Sequence, residues 1–182
     1  MEINSLRLPG TYAIIPTPYF DDRGYFMRVY DRALFAQRGL QTDWLQENQS
    51  RSSRSHIIRG LHFQKPPHEE AKLIRVVVGA IFDVFVDLRK NSATYGQWDS
   101  IELSAENQRA VYIPKGFAHG FCTLMDDNVV VYKVDRIYAP SAEGGLRWND
   151  PTLQIQWPTK SPSLSTRDER LELFSSFESP FV

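Results

Sequence analysis

The chain has 182 residues, of which 42% are hydrophobic, so it is long enough for one well-filled core and residues 1–182 are predicted to form a single domain. A formal net charge of -1 argues against nucleic-acid binding, which normally needs a strongly basic face. The sequence contains no apolar run of membrane-spanning length and no signal-peptide pattern in its first ten residues, so we expect a cytoplasmic protein without a membrane partner.

Strands dominate the predicted secondary structure. One short helix is predicted from Asp31 to Arg38, with Leu34 and Phe35 as its apolar contacts. Short β-rich stretches between polar or Gly/Pro turns predict strands at Tyr12–Pro16, Leu73–Val78, Ile81–Asp87, Trp98–Leu103, Ala110–Ile113, Gly120–Leu124 and Val129–Tyr138. This spacing is typical of an all-β sandwich or barrel, and a jelly roll leaves few exposed strand edges at this length.

Three local patterns complete this prediction. Gly79-Ala80 separates two of the β-rich stretches, which are therefore expected to pair as a hairpin across the middle of the protein. The only cysteine, Cys122, lies in an apolar run and is expected to be a buried, inert thiol. From Ala139 onward the chain is irregular and rich in proline, but it is too apolar for a free linker and should pack around the barrel through Trp148, Leu153, Ile155 and Trp157.

Histidines in a small barrel raise the question of a metal site. A metal-binding jelly roll of the cupin kind usually offers a His-x-His pair, a nearby carboxylate and a distant histidine, whereas Leu61–Gln64 holds one imidazole. The segment from Pro114 to His119 resembles the second cupin segment, but a full set of three or four ligands is missing. We therefore expect neither a metal nor another cofactor, although the chain has four histidines: His56, His62, His68 and His119.

Without a metal, His62 is the natural general base, because an unperturbed imidazole has a pKa of about 6.5. A base of this kind needs a carboxylate that fixes its tautomer, and Asp168 and Asp83 are both candidates. The alternative is a core or edge histidine whose ring bonds only the backbone. Arg59 and Lys72 lie close to His62 in sequence and favour a role in chemistry on an anionic ligand.

Longer stretches of the chain resemble one known family, the dTDP-4-dehydrorhamnose 3,5-epimerases, which act on nucleotide-linked 4-keto-6-deoxyhexoses. The resemblance extends over nearly the whole chain, and so many ordered matches make chance an unsatisfactory explanation. The matching segments are Asp22–Phe26, Gln46–Ser50, Arg59–Gln64, Phe82–Val84, Val86–Arg89, Ser92–Gly96, Ile113–Phe121, Val131–Lys133 and Trp148–Pro151.

The resemblance implies a cupin-like jelly-roll homodimer that works without a metal on a nucleotide-diphosphate sugar. His62 matches the family's proton acceptor, Asp168 its orienting partner and Tyr132 the proton donor. Tyr138 matches an aromatic residue that stacks on the base. Contacts with the substrate are implied for Arg23, Gln46, Asn48, Arg59, Lys72, His119, Glu143 and Arg167.

The same residue types suit the chemistry independently. A 4-keto group acidifies the hydrogens on C3 and C5, so a base can remove one and leave an enolate whose oxygen needs a cationic partner such as Lys72. Inversion requires reprotonation from the opposite face of the ring, a role for Tyr132, whose alternative is simply a packed tyrosine. Arg23 and Arg59 could each bind the diphosphate in bidentate fashion.

Two positions depart from the family pattern. Arg167 stands where the family often has lysine, which keeps the charge but changes the donor geometry. Arg28 stands where the family commonly has glutamate, near the nucleotide by resemblance. A guanidinium only donates hydrogen bonds, so it suits the acceptors of cytosine better than thymine. One hypothesis is a preference shifted from dTDP toward CDP; the other is a surface replacement that neighbours compensate.

The sequence leaves the stereochemical outcome open, because relatives with the same base and acid act at C3, at C5 or at both. Three other functions compete with the epimerase. They are a nucleotide-sugar 3,4-ketoisomerase on the same scaffold, a non-catalytic sugar-nucleotide binding protein, and a metal-dependent cupin oxygenase.

Overall fold

The chain folds mainly into β-strands, and the computed structural model describes all 182 residues. Helical structure is limited to α1 (Arg32–Gln37) and to three 3-10 turns at Pro140–Ala142, Asp168–Arg170 and Phe174–Ser176. None of these helices has the length and apolar character needed to span a membrane. The strands are β1 (Glu2–Ser5), β2 (Tyr12–Ile15), β3 (Tyr19–Asp21), β4 (Gly24–Phe26), β5 (Gln46–Ser52), β6 (Ile58–Gln64), β7 (Lys72–Val78), β8 (Ala80–Asp87), β9 (Trp98–Ser104), β10 (Ala110–Ile113), β11 (Phe117–Thr123), β12 (Asn128–Val134) and β13 (Glu143–Gly145).

Two antiparallel sheets form the body of the molecule. A six-stranded sheet has the order β1-β2-β10-β7-β12-β5, and a five-stranded sheet has the order β13-β6-β11-β8-β9. Their inner faces meet in one apolar core, in which Ile74 and Val76 of β7 pack with Ile81 and Phe85 of β8. The prediction of an all-β, cupin-like jelly roll is therefore confirmed.

The outer faces of both sheets are also covered, which explains why several strands are apolar on both sides. Helix α1 buries Phe35 against the outer face of the six-stranded sheet, and Asp31 caps the helix by accepting hydrogen bonds from two backbone N–H groups. The C-terminal tail packs Leu153, Ile155 and Phe181 against the outer face of the five-stranded sheet. The predicted packing of the tail is confirmed, and its single short strand, β13, extends that sheet next to β6.

The predicted central hairpin is wrong. β7 pairs with β10 and β12, whereas β8 pairs with β9 and β11, so the chain passes at Gly79 from one sheet to the facing one. Gly79 has φ +78°, and a Cβ there would collide with the Asn128 side chain. Two apolar strands joined by a tight turn look alike in sequence whether they pair or pass to the other sheet.

Six strands were absent from the prediction, namely β1, β3, β4, β5, β6 and β13, and the two longest of them are β5 and β6. β5 has the sequence Gln-Glu-Asn-Gln-Ser-Arg-Ser and lacks the apolar alternation of a core strand. β6 contains Gly60, which normally weakens a strand. Both strands line the cavity described below, which explains their unusual composition.

Candidate active site

One cavity of about 480 Å³ opens between the two sheets. Successive side chains of a strand point to opposite faces, so every second residue of a cavity strand points inward. The lining residues contributed in this way by β5, β6, β7, β11 and β12 include Gln46, Asn48, Ser50, His62, Gln64, Lys72, His119, Phe121, Val130, Tyr132 and Val134.

His62 forms a pair with Asp168 inside this cavity. The distance from His62 Nε2 to Asp168 Oδ1 is 2.6 Å, and the carboxylate is buried while the imidazole is 36% exposed. Burial opposes the charged carboxylate, but hydrogen bonds from His62, Ser165 and the Gly60 backbone outweigh it and hold the pKa of Asp168 below its usual value. Since Nε2 donates to Asp168, Nδ1 of His62 keeps a free lone pair for a substrate proton.

Asp83, the other candidate partner of His62, pairs with a different histidine. The distance from His119 Nε2 to Asp83 Oδ2 is 2.8 Å, and both side chains are more enclosed than His62. Complete burial raises the pKa of Asp83, although His119 and Lys72 oppose this effect. The residues alone left the two aspartates open and the family resemblance implied Asp168, which is the aspartate that the structure pairs with His62.

The two histidines are cross-strand neighbours because β6 and β11 approach closely. His62 lies opposite His119, and a bulge follows on β6, where Gly60 and Leu61 stand opposite Gly120 before Arg59 pairs with Phe121. At this bulge Gly60 has φ +124°, and a Cβ on it would lie 2.6 Å from the Cα of Gly120. Only glycine therefore permits this spacing of the two imidazoles.

Lys72 lies on the sheet opposite His62. Its ammonium group pairs with the carboxylate of Glu70 and lies 5.9 Å from the centroid of the Tyr132 ring. Burial raises the pKa of Tyr132, the negative charge of Glu70 raises it further, and Arg59 opposes both. The phenol is therefore kept protonated, as a proton donor must be.

Polar groups surround the mouth of the cavity. Arg59 donates through Nε to Ser52 Oγ at 3.1 Å, and Arg167 forms an ion pair of 2.7 Å with Glu143. Tyr138 is 54% exposed, a position from which its ring can stack on a ligand. These groups combine cationic, hydrogen-bonding and aromatic surfaces around one opening.

Arg23 and Arg28 do not line the cavity, unlike the other predicted site residues. The Arg23 side chain is 90% exposed at the tip of the β3–β4 hairpin and pairs with Asp21. Arg28 is 66% exposed and forms an ion pair of 3.4 Å with Asp31, the capping residue of α1. Within one chain, neither arginine is placed to contact a ligand in this cavity.

Three residues with roles in the cavity were missed at the level of sequence. Glu70 bonds Lys72, Gln64 bonds Glu70, and Ser165 bonds Asp168. The only sequence feature that could have indicated Glu70 is its position two residues before Lys72.

Cys122 is buried outside the cavity lining, and burial raises the pKa of its thiol to about 11, as expected for an inert cysteine.

No three His, Cys, Asp or Glu side chains are grouped so that they could hold a metal ion. His62 and His119 each direct Nε2 toward a carboxylate instead. The cavity therefore presents two histidine–aspartate pairs, a lysine and a tyrosine to whatever it binds.

Fold and cavity together define the class of protein, a cupin-like jelly roll equipped for proton transfer to and from a bound ligand. The family model described as dTDP-4-dehydrorhamnose 3,5-epimerase matches residues 5–176. A dTDP-4-dehydrorhamnose 3,5-epimerase of Methanothermobacter thermautotrophicus is 48% identical over 151 residues, which cover 83% of this chain and 80% of that protein.

Solved structures agree with this match. The crystal structure of the Bacillus anthracis epimerase with TDP and PPi bound is 44% identical, with a TM-score of 0.92 over 94% of this chain and 98% of that one. The Legionella pneumophila enzyme in complex with dTDP-4-keto-L-rhamnose is 36% identical, with a TM-score of 0.92 over 97% and 94% of the two chains. The chain belongs to the dTDP-4-dehydrorhamnose 3,5-epimerase family of isomerases.

Proposed function

We propose that this protein epimerises a nucleotide-linked 4-keto-6-deoxyhexose at C3 and C5, converting dTDP-4-dehydro-6-deoxy-D-glucose to dTDP-4-dehydro-L-rhamnose. One observation carries the proposal: a carboxylate-paired imidazole and a buried phenol line the same cavity from facing sheets. His62 belongs to the five-stranded sheet and Tyr132 to the six-stranded sheet. A sugar ring between them has a base on one face and an acid on the other.

The proton transfers follow from this arrangement. His62 Nδ1 removes the proton from the carbon next to the 4-keto group, and Asp168 stabilises the imidazolium that forms. The electron pair moves onto the keto oxygen, where the Lys72 ammonium stabilises the enolate. Tyr132 then donates its phenolic proton to the opposite face of the same carbon, and exchange with solvent restores both groups.

The remaining cavity residues are proposed to hold the nucleotide and sugar. Arg59 and Arg167 suit the diphosphate, because one guanidinium group can donate two parallel hydrogen bonds to the oxygens of a phosphate. Tyr138 suits stacking on the base. Hydrogen bonds to the sugar are proposed for Gln46, Asn48, His119 and Glu143, which share the cavity lining.

The proposal includes a homodimer, in which Arg23 and Arg28 contact substrate in the cavity of the second copy. The β3–β4 hairpin carries four aromatic side chains that are between 53% and 73% exposed, namely Tyr19, Phe20, Tyr25 and Phe26. A two-stranded hairpin of this kind is marginally stable alone, and an exposed apolar patch usually marks an interaction site. A second copy would cover these rings and bring Arg23 to a substrate.

Location in the cytoplasm remains a prediction from the sequence.

NMR of dTDP-4-keto-6-deoxyglucose with the protein in D2O tests the reaction. We expect deuterium at C3 and C5 together with inversion at both carbons. A carbonyl that migrates from C4 to C3 would identify a ketoisomerase instead. An unchanged substrate that binds without deuterium incorporation would identify a binding protein.

The same assay with the CDP-linked sugar tests the role of Arg28. We propose dTDP as the nucleotide, because the relatives are named for dTDP-linked sugars. A higher kcat/KM with CDP would overturn this choice and support a direct contact between Arg28 and cytosine.

A further inference from the structure

Glu70 is a cavity carboxylate that has no part in the proton transfers proposed above. Its side chain is 12% exposed, and one oxygen bonds the ammonium of Lys72. The other oxygen accepts a hydrogen bond of 3.2 Å from Gln64 Nε2. Both carboxylate oxygens are therefore engaged by cavity side chains, so Glu70 is held in place and its charge is compensated.

Gln64 is itself fixed at both ends of its amide. Its Nε2 donates to the backbone oxygen of His68 at 3.0 Å, and its Oε1 accepts from the Ala139 backbone at 2.7 Å. These bonds tie β6 to the segment before β7 and to the beginning of the C-terminal tail. The Gln64 amide that bonds Glu70 is therefore held by backbone groups, and it takes no part in the proposed proton transfers.

The pair formed by Glu70 and Lys72 lies next to the phenol. Lys72 is within cation–π distance of the Tyr132 ring. Because Glu70 binds the Lys72 ammonium, Glu70 also determines where that ammonium lies relative to the phenol. The charged and titratable groups that face this part of the cavity from the surrounding elements are Arg59 and His62 of β6, Glu70 before β7, Lys72 of β7, Asp83 of β8, His119 of β11, and Glu143, Arg167 and Asp168 at the tail side.

We propose that Glu70 is a positioning residue for the epimerisation, which fixes the Lys72 ammonium beside the keto oxygen and keeps Tyr132 in its proton-donating form. The proposal rests on the function proposed above and adds a fourth residue to the group formed by base, acid and lysine. Glu70 does not exchange a proton with the substrate. It acts through the two residues that contact the substrate.

The electrostatics of the phenol support this role. Burial raises the pKa of Tyr132 first, and the Glu70 charge raises it further, while Arg59 lowers it. A raised pKa means that the phenol stays protonated to a higher pH than usual. Removal of the Glu70 charge therefore lets Tyr132 ionise at a lower pH, and the proton donor is lost sooner as the pH rises.

Glu70→Gln is the first test, because the amide keeps the size of the side chain and removes its charge. The chain has eight tyrosines, so the signal of Tyr132 has to be isolated. The wild type and Glu70→Gln are each titrated by tyrosinate absorbance with and without the additional change Tyr132→Phe, and the difference between the two titration curves is that of Tyr132. We expect the pKa of Tyr132 to fall in Glu70→Gln, because the charge that raises it is gone. This measurement needs no substrate.

The pH profile of kcat is the second test, with two matched variants. The alkaline limb should move to lower pH in Glu70→Gln and stay near that of the wild type in Glu70→Asp, which retains the charge. Glu69→Gln removes the neighbouring carboxylate, which does not line the cavity, and should leave the limb in place. Thermal unfolding of each variant verifies that the fold is retained.

An unchanged Tyr132 titration in Glu70→Gln, or an equal shift in Glu69→Gln, overturns the role of Glu70. A wild-type protein that incorporates no deuterium from D2O overturns the proposed function instead. The two failures are distinguishable, because the absorbance titration reports on the phenol whether or not the protein turns over a sugar.

Discussion

At the residue scale, the two histidines of the cavity differ although each is paired with an aspartate. His62 is 36% exposed, whereas His119 is 13% exposed and its partner Asp83 is completely buried. A base must reach both its substrate and solvent to take and release a proton. The greater access of His62 therefore favours it over His119 as the base.

The first prediction concerns the division of labour between base and acid. His62→Ala should reduce deuterium incorporation at both carbons by at least about 100-fold, because it removes general-base catalysis. Tyr132→Phe should retain some exchange but impair inversion, because the proton then returns to the face it left. Both are measured by NMR in D2O.

His68→Ala is the matched control, since His68 is exposed and outside the cavity lining. It should exchange deuterium at the wild-type rate. Equal exchange by His62→Ala and the wild type would contradict the assigned base.

At the scale of elements, the site depends on the alternation of five strands and on one close contact between two of them. β6 and β11 approach closely at Gly60 and Gly120, and this contact sets the register in which His62 lies opposite His119. The strands that carry chemistry are polar on one face because that face lines the cavity. In β5 this polarity removes the apolar alternation that signals a core strand, whereas β7, β11 and β12 keep enough apolar residues to be predicted.

The second prediction tests that contact. Gly60→Ala should lower the free energy of unfolding by about 2 kcal/mol more than Gly39→Ala, measured by urea denaturation. Both glycines have positive φ, so both alanines are strained, but a Cβ at Gly39 meets nothing within 4 Å. Equal losses in the two variants would show that the β6–β11 approach does not require glycine.

At the scale of the whole molecule, the two sheets contribute to one apolar cluster, and the tail and the five-stranded sheet contribute to a second. The tail residues Leu153 and Phe181 belong to the same apolar cluster as Leu61 and Val84 of the five-stranded sheet. This packing supports the prediction that residues 1–182 form a single domain. The β3–β4 hairpin is the exception, since its rings remain exposed.

The third prediction tests whether that hairpin completes the site of a second copy. Arg23→Ala and His62→Ala should each be nearly inactive alone, because one lacks a diphosphate contact and the other the base. Mixed and refolded together, they should recover up to about a quarter of wild-type activity, since half of random dimers are mixed and hold one intact site of two.

Light scattering of the same samples gives the oligomeric state. A monomeric wild-type protein, or a mixture no more active than its parts, would contradict the shared site.

The sequence by itself was sufficient for the fold class and the helix, because strand and helix periodicities are local, and the family motifs named most of the residues that line the cavity. Without the family resemblance, which implied Asp168, it could not choose between Asp168 and Asp83 as partner of His62, and it could not distinguish a hairpin from a crossover at Gly79. Asp168 is 106 positions from His62, and pairing over such distances is decided by how the sheets and the tail pack. Only the tertiary structure brought Glu70, Lys72 and Tyr132 together, because electrostatic coupling depends on distance in space rather than on spacing along the chain.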